Sequence, residues 1–258
     1  MAGARLLATA LGALLVAPAC GEQPEAESVE VPTLGACRVL EPADVKEPTN
    51  SHESVPCTEP HTAETYAVGE LPDDLADAAY DSKEVGAFAY RTCADAFMKF
   101  LGADESVAMR TLLSWAWFRP TEEAWEDGAR WYRCDVVGGD ESSEELRELP
   151  ETAKGLMLPQ PPDEWMQCVK GESVPGAPRI PCTEPHDWRA VTTIKVGQPG
   201  DPYPGDRLVE VTTRDYCGDS VSAWLGYPPS YKYAFTWFHE AEWEAGNRRS
   251  ICWAWTKG

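Results

Sequence analysis

Hydrophobic positions along the chain fall into one early apolar run and two later, matching sets of alternating periods. The run Leu6 to Ala17 follows Arg5. It is long enough for the core of a signal peptide and shorter than the roughly 20 residues a spanning helix needs. Further on, Ala63 to Val68 and Ala190 to Val196 are rich in β-branched and aromatic residues and predict short strands. A helix is predicted after each. Val85, Phe88, Ala89, Thr92, Cys93, Ala96, Phe97 and Phe100 recur at steps of three and four, as do Val209, Thr213, Tyr216, Cys217, Ser220, Val221 and Trp224. Gly102 and Gly226 supply the stops, because glycine enters the left-handed terminal conformation without steric cost. Two further strands complete each set: Leu112 to Phe118 with Arg130 to Val137, and Tyr233 to Phe238 with Arg249 to Trp255. Each pair is joined by a loop of about ten residues carrying a Trp and a Gly.

The two sets are copies. Pro56-Cys57-Thr58-Glu59-Pro60-His61 recurs letter for letter as Pro181-Cys182-Thr183-Glu184-Pro185-His186, and Cys93, Leu101-Gly102, Trp117-Phe118, Trp125, Gly128 and Cys134 are answered by Cys217, Leu225-Gly226, Trp237-Phe238, Trp243, Gly246 and Cys252. The offset drifts from 125 to 118, as small loop deletions require. The expected architecture is therefore α+β: two tandem disulfide-bonded β-α-β-β modules, each a helix packed on a small antiparallel sheet. The chain divides into a signal peptide (1–20), an acidic tether (21–36), a first module (37–137), an acidic Pro/Gly linker (138–167) and a second module (168–258). The modules are of a size that folds independently. The linker, with Gly138-Gly139 and Pro159-Gln160-Pro161-Pro162, is expected to be exposed with one stiff end.

Composition sharpens this picture. The chain has 258 residues, 11 Trp, 9 Cys, 22 Pro and a net charge of -21, most of the acid lying in the first module and the connectors. Such a charge repels nucleic-acid backbones, so no nucleic-acid partner is expected. Its plain reading is solubility. Cysteine content points to an exported, disulfide-supported protein. At Ala17-Pro18-Ala19-Cys20 two cleavage readings stand: an ordinary Ala-x-Ala site giving a secreted form, and a lipoprotein signal whose Cys20 becomes the acylated N-terminus. Pro18 departs from the usual lipobox, but parity favours lipidation, since Cys20 is the odd cysteine once eight are paired. The membrane is then a partner through the N-terminal lipid.

Four cysteines per module allow three connectivities, among which sequence alone does not choose. The preferred set is Cys37–Cys57, Cys93–Cys134, Cys168–Cys182 and Cys217–Cys252, with each second pair tying the helix's buried face to the last strand. Zinc is not expected, because no Cys-x-x-Cys occurs. The chain carries no Gly-x-Ser-x-Gly, His-Glu-x-x-His, phosphate-binding Gly loop or dinucleotide fingerprint, and no catalytic residue, metal or cofactor is assigned. His61 has Glu64 three residues on, close enough for a hydrogen bond that would hold the turn. His186 has Arg189 in the matching place, which a catalytic His-Glu pair would not survive. Glu122, Glu123, Glu126 and Asp127 read as a solvated rim. The candidate interaction residues are His61, Glu64, Trp125, His186 and Trp243. The two tryptophans on the hairpin loops are the candidates for exposed recognition, although they could equally fold back over the sheet.

The order Cys, Pro-Cys-x-x-Pro-His-x-x-Glu, helical Cys, Trp-Phe, Pro-Thr-x-x-x-Trp-x-x-Gly-x-Arg, Cys resembles the septum formation family of actinobacterial envelope proteins. The last stretch here is Pro120-Thr121-Glu122-Glu123-Ala124-Trp125-Glu126-Asp127-Gly128-Ala129-Arg130. Copy two lacks the Pro-Thr pair and carries Arg189 for the Glu. The resemblance implies an exported, commonly membrane-attached, non-enzymatic protein linked to cell division. The expectation is a lipid-anchored interaction or scaffold protein of the cell envelope, with an envelope protein or the cell wall as partner. The alternative is a wall-directed carbohydrate-binding or hydrolytic protein.

Overall fold

A computed structural model describes residues 31–140 and 143–256. The signal peptide, Cys20 and most of the tether lie outside the described residues. Copy one runs β1 (Cys37–Arg38), β2 (Ala63–Glu70), α1 (Lys83–Leu101), α2 (Glu105–Ala108), β3 (Ser114–Phe118), α3 (Glu122–Glu126) and β4 (Trp131–Val137). Copy two runs β5 (Gln167–Val169), β6 (Ile180–Pro181), β7 (Trp188–Lys195), α4 (Asp206–Trp224), β8 (Tyr233–Thr236), α5 (Glu240–Ala245) and β9 (Arg249–Trp255). Both sheets are antiparallel, in the orders β1-β2-β4-β3 and β6-β5-β7-β9-β8. The fold is α+β in two tandem copies, and the long strands and helices fall where their periods predict. The short strands β1, β5 and β6 go beyond the β-α-β-β expectation. They set Cys37 opposite Glu64 and Cys168 opposite Arg189, the same place in each copy.

Each long helix is held by one buried row. In α1 the row is Val85, Ala89, Cys93, Phe97 and Leu101; Ser82 caps its start by accepting from the Val85 N–H, and Gly102 ends it at φ +70°. In α4 it is Val209, Thr213, Cys217 and Val221, with Gly226 beyond the end at φ +80°. Tyr216 and Trp224, expected on that buried face, are exposed instead. They sit roughly 60–100° round the helix from the row, on a flank nothing covers in copy two. Four disulfides close within the copies: Cys37–Cys57, Cys93–Cys134, Cys168–Cys182 and Cys217–Cys252. The second of each pair pins the long helix to the last strand. Four disulfides fit an oxidising, extracytoplasmic compartment. Among the described residues, no helix is long and apolar enough to cross a membrane.

Two expectations need correction. The hairpin loops are not open, for each contains a short helix, α3 or α5. The Thr121 hydroxyl caps α3 by accepting from the Ala124 N–H, and Glu242 returns to accept from the His239 N–H at the start of α5. The linker is not an exposed tether either. Leu149, Ala153, Met157 and Trp165 are buried in the main core of copy one, together with Cys168 and Cys182 of copy two. Its backbone is equally engaged: the N–H groups of Leu149, Gly155 and Met157 donate to the carbonyls of His61, Phe100 and Leu101. Polar composition hid four apolar anchors spaced widely enough to read as a loop. Burying the Leu149 and Met157 side chains stabilises by about 1.5–3 kcal/mol each. This segment acts as a strap across copy one.

The copies are consequently joined rather than strung apart. Thr111 bridges Met166, and Arg249 Nε lies 2.6 Å from Glu105 Oε2 across the junction. Tyr90 of α1 packs so close to Gly246 that a Cβ there would fall 2.6 Å from its ring. The copies also differ inside. In copy one Asp135 Oδ2 lies 3.1 Å from Arg133 Nε and 4.0 Å from Arg38 Nη1, and Thr65 donates to Asp135 Oδ1 at 2.7 Å. The matching places of Arg38, Thr65 and Asp135 hold Val169, Ala190 and Trp253, which form an apolar cluster.

Candidate functional site

The hairpin tryptophans do not form an exposed recognition surface. Trp125 is 5% exposed and Trp243 2%. In each copy the Trp-x-x-Gly-x-Arg stretch closes on itself: Arg130 covers the Trp125 ring, Arg248 covers the Trp243 ring, and each Nη1 donates to the carbonyl of the tryptophan it covers. Gly128 and Gly246, at φ +99° and +111°, turn the chain so that the arginine can reach back. Trp125 joins Leu71 and Val85, and Trp243 joins Val196, Val209 and Phe238. Both are core residues. The neighbouring Glu122, Glu123, Glu126 and Asp127 are exposed.

Each motif histidine serves its turn. His61 is 1% exposed, with Nδ1 2.8 Å from the Glu59 carbonyl oxygen. His186 makes the same contact with Glu184 at 2.7 Å and is half-buried. The expected His61–Glu64 hydrogen bond is not formed. Glu64 faces the strap instead, accepting from the Thr152 hydroxyl at 2.8 Å and from the Ala153 N–H at 2.7 Å. Arg189, in the matching place, donates to Asp163 of the linker. Residues of opposite charge thus grip the same connector at two points.

What the strap fills in copy one stays open in copy two. A cleft of about 510 Å³ lies at the junction, walled by His186, Arg189, Val191, Trp224 and Thr256 from copy two, by Arg110 from copy one and by Gln160, Pro161 and Met166 of the linker. By the repeat offsets, the first four of these answer to His61, Glu64, Tyr66 and Phe100, and Thr256 answers to Gly138. Tyr66 and Phe100 pack with the strap residues in one core. Their counterparts Val191 and Trp224 line the cleft, and Trp224 is 49% exposed. Tyr66 also donates its hydroxyl to the Cys93 carbonyl, and burial pushes its pKa well up, so it remains a donor there.

Three basic groups converge on this cleft in a chain that is otherwise strongly acidic. Burial lowers the pKa of the Arg110 guanidinium, Asp104 opposes that, and the Arg189 charge adds to it. The hydrogen bond from Arg189 holds the Asp163 carboxyl below its ordinary range. The Thr256 hydroxyl is buried without a hydrogen-bond partner among the described residues. The arrangement suits an elongated ligand with an apolar body and an acceptor or anionic group. Among the described residues, no group of three His, Cys, Asp or Glu is placed to hold a metal ion. Sequence reasoning found His186 and set Arg189 beside Glu64, but it missed Arg110, Trp224 and Thr256 as neighbours. The pairing of Trp224 with Phe100 was the available signal.

The family model described as Septum formation matches residues 14–119 and again 112–252. No curated protein and no solved structure matches the chain.

Proposed function

This chain belongs to the septum formation family, and from that premise we propose that it is an exported interaction or scaffold protein of the cell envelope, without catalytic activity, linked to septum formation. We place its anchor at Cys20, acylated after cleavage, so that the two joined copies stand on the outer face of the membrane. The observation that supports this reading is the cleft between the copies, which His186, Arg189 and Trp224 line, the histidine being committed to its turn through Glu184. Disulfides within each copy suit a rigid adaptor in an oxidising compartment. The partner is an envelope protein. The alternative of a carbohydrate platform loses its basis, because Trp125 and Trp243 are core residues.

Two measurements test the proposal. Intact mass of the chain from host membranes is expected to show a diacylglyceryl group on a chain beginning at Cys20, with eight cysteines alkylated only after reduction. An unlipidated mature chain overturns the anchor. A fusion to a fluorescent protein that folds outside the cytoplasm is expected to concentrate at division sites, and an even distribution along the envelope overturns the septal link.

A further inference from the structure

The cleft in copy two is the counterpart of a groove whose occupant is visible in copy one. There the strap runs as an irregular segment, turned between Ala153 and Leu158 by the Leu156 N–H donating to the Ala153 carbonyl and the Leu158 N–H to the Gly155 carbonyl, and three of its N–H groups donate to the carbonyls of His61, Phe100 and Leu101. Ala153 and Met157 enter the core, and Glu64 takes the Thr152 hydroxyl and the Ala153 N–H. In copy two the matching carbonyls belong to His186, Trp224 and Leu225. None of them accepts a backbone N–H from the described residues. Pro228 and Pro229, standing where the next turn would supply donors to Trp224 and Leu225, have no N–H to give. The unpartnered Thr256 hydroxyl and the exposed Trp224 ring line the cleft, together with His186, so two of the three residues that carry these carbonyls border it.

We infer that the copy-two groove binds a short segment of a partner polypeptide in the path the strap takes over copy one, with a carboxylate side chain of that segment meeting Arg189. This rests on the interaction reading above and names the ligand class. The charge argument is direct. Glu64 selects a segment that presents donors, and Arg189 in the same place, which already holds the Asp163 carboxylate of the linker through one nitrogen, selects with its other N–H groups a segment that presents acceptors. Arg110 lines the same cleft, so an acidic residue in the register of Thr152 meets two guanidinium groups, with the His186 ring beside them. Trp224, like Phe100, takes a small or flexible apolar residue against its ring.

The test uses two labelled peptides with the purified mature protein, read by fluorescence anisotropy. One is the strap sequence of residues 149–158, and the other is the same sequence with Asp in place of Thr152. The Asp peptide is expected to bind saturably and at least roughly tenfold more tightly than the strap peptide, with the preference fading as salt rises. Arg189→Glu is expected to reverse the preference between the two peptides. Trp224→Ala, at an exposed position, is expected to weaken both without moving the unfolding midpoint. Absence of saturable binding by the Asp peptide, equal binding of the two, or an unchanged preference in Arg189→Glu overturns the inference. Displacement of the Asp peptide by inorganic phosphate at equal concentration also overturns it, because the cleft would then take a small anion. Since this assay uses purified protein, its failure leaves the mass and localisation results, which judge the broader reading, standing separately.

Discussion

The guanidinium carbon of Arg248 lies 3.6 Å from the centre of the Trp243 ring. The corresponding distance from Arg130 to Trp125 is 4.2 Å. Because the same arginine also caps the carbonyl of the residue it covers, the ring, the glycine turn and the arginine form one closed unit in each copy. Trp243→Ala is therefore expected to destabilise the protein by about 3–5 kcal/mol in chemical denaturation. Arg248→Lys keeps the charge but loses the planar stacking, and a smaller loss is expected. A Trp243→Ala protein with an unchanged midpoint would contradict the buried assignment.

Asp135 is expected to be the most sensitive charged position in copy one. Burial pushes its carboxyl pKa up against the pull of Arg133, Thr65 and Arg38. Removing it takes away the carboxylate that both Arg133 and Arg38 face. Asp135→Ala should cost about 3–5 kcal/mol, measured by urea unfolding. A loss below about 1 kcal/mol would show that the site relaxes to let water in.

The contact between Asp163 and Arg189 gives a pH dependence of definite sign. The folded carboxyl is held below its ordinary value, so the folded state takes up this proton later than the unfolded chain as acid is added. Its contribution is full above the ordinary Asp pKa of about 3.9 and is lost as pH falls through the folded value. Asp163→Asn is expected to be less stable than the parent at neutral pH and to converge with it in strong acid. A gap that widens on acidification would contradict the sign.

Replacing Met157 or Glu64 tests the strap. Met157→Ala empties a fully enclosed site and should cost about 2–5 kcal/mol. Glu64→Arg removes the acceptor for Thr152 and Ala153 and sets a cation against two donors. Residues 149–158 are then expected to exchange amide hydrogens faster and to become cleavable in limited proteolysis, with the rest of copy one protected. Uniform protection of that segment in Glu64→Arg would show that its apolar anchors suffice.

All four disulfides close within a copy, so a single cut in the linker is expected to yield two fragments that separate under denaturing conditions without reductant. Fragments that stay together until reduction would mean a bridge across the copies.

Much of the fold was legible because it was written twice. The helix rows of α1 and α4 and the cysteine pairs repeat at matching places, so each copy checks the other. Short elements were not legible. The helices α3 and α5 span a turn or so, too little for a period to emerge, and the tryptophans they carry looked like loop residues. The linker misled through composition, since charged and Pro residues outnumber the few side chains that anchor it. The groove was hidden for another reason. It depends on one copy having a cover that the other lacks, and that difference appears only when the strap, Phe100 and Trp224 are placed in space.

The strap remains covalently attached at both ends while it lies across copy one, so its local concentration far exceeds that of any free segment, on the order of millimolar for short connections. A free segment of equal affinity would have to reach a comparable concentration to displace it. With the copy-two groove as the binding site, a chain built from two copies of one fold would have a valency of one. Clustering of partners would require several copies of the protein to be gathered on a shared surface, and the strength of any assembly would follow their surface density rather than the number of repeats in each chain.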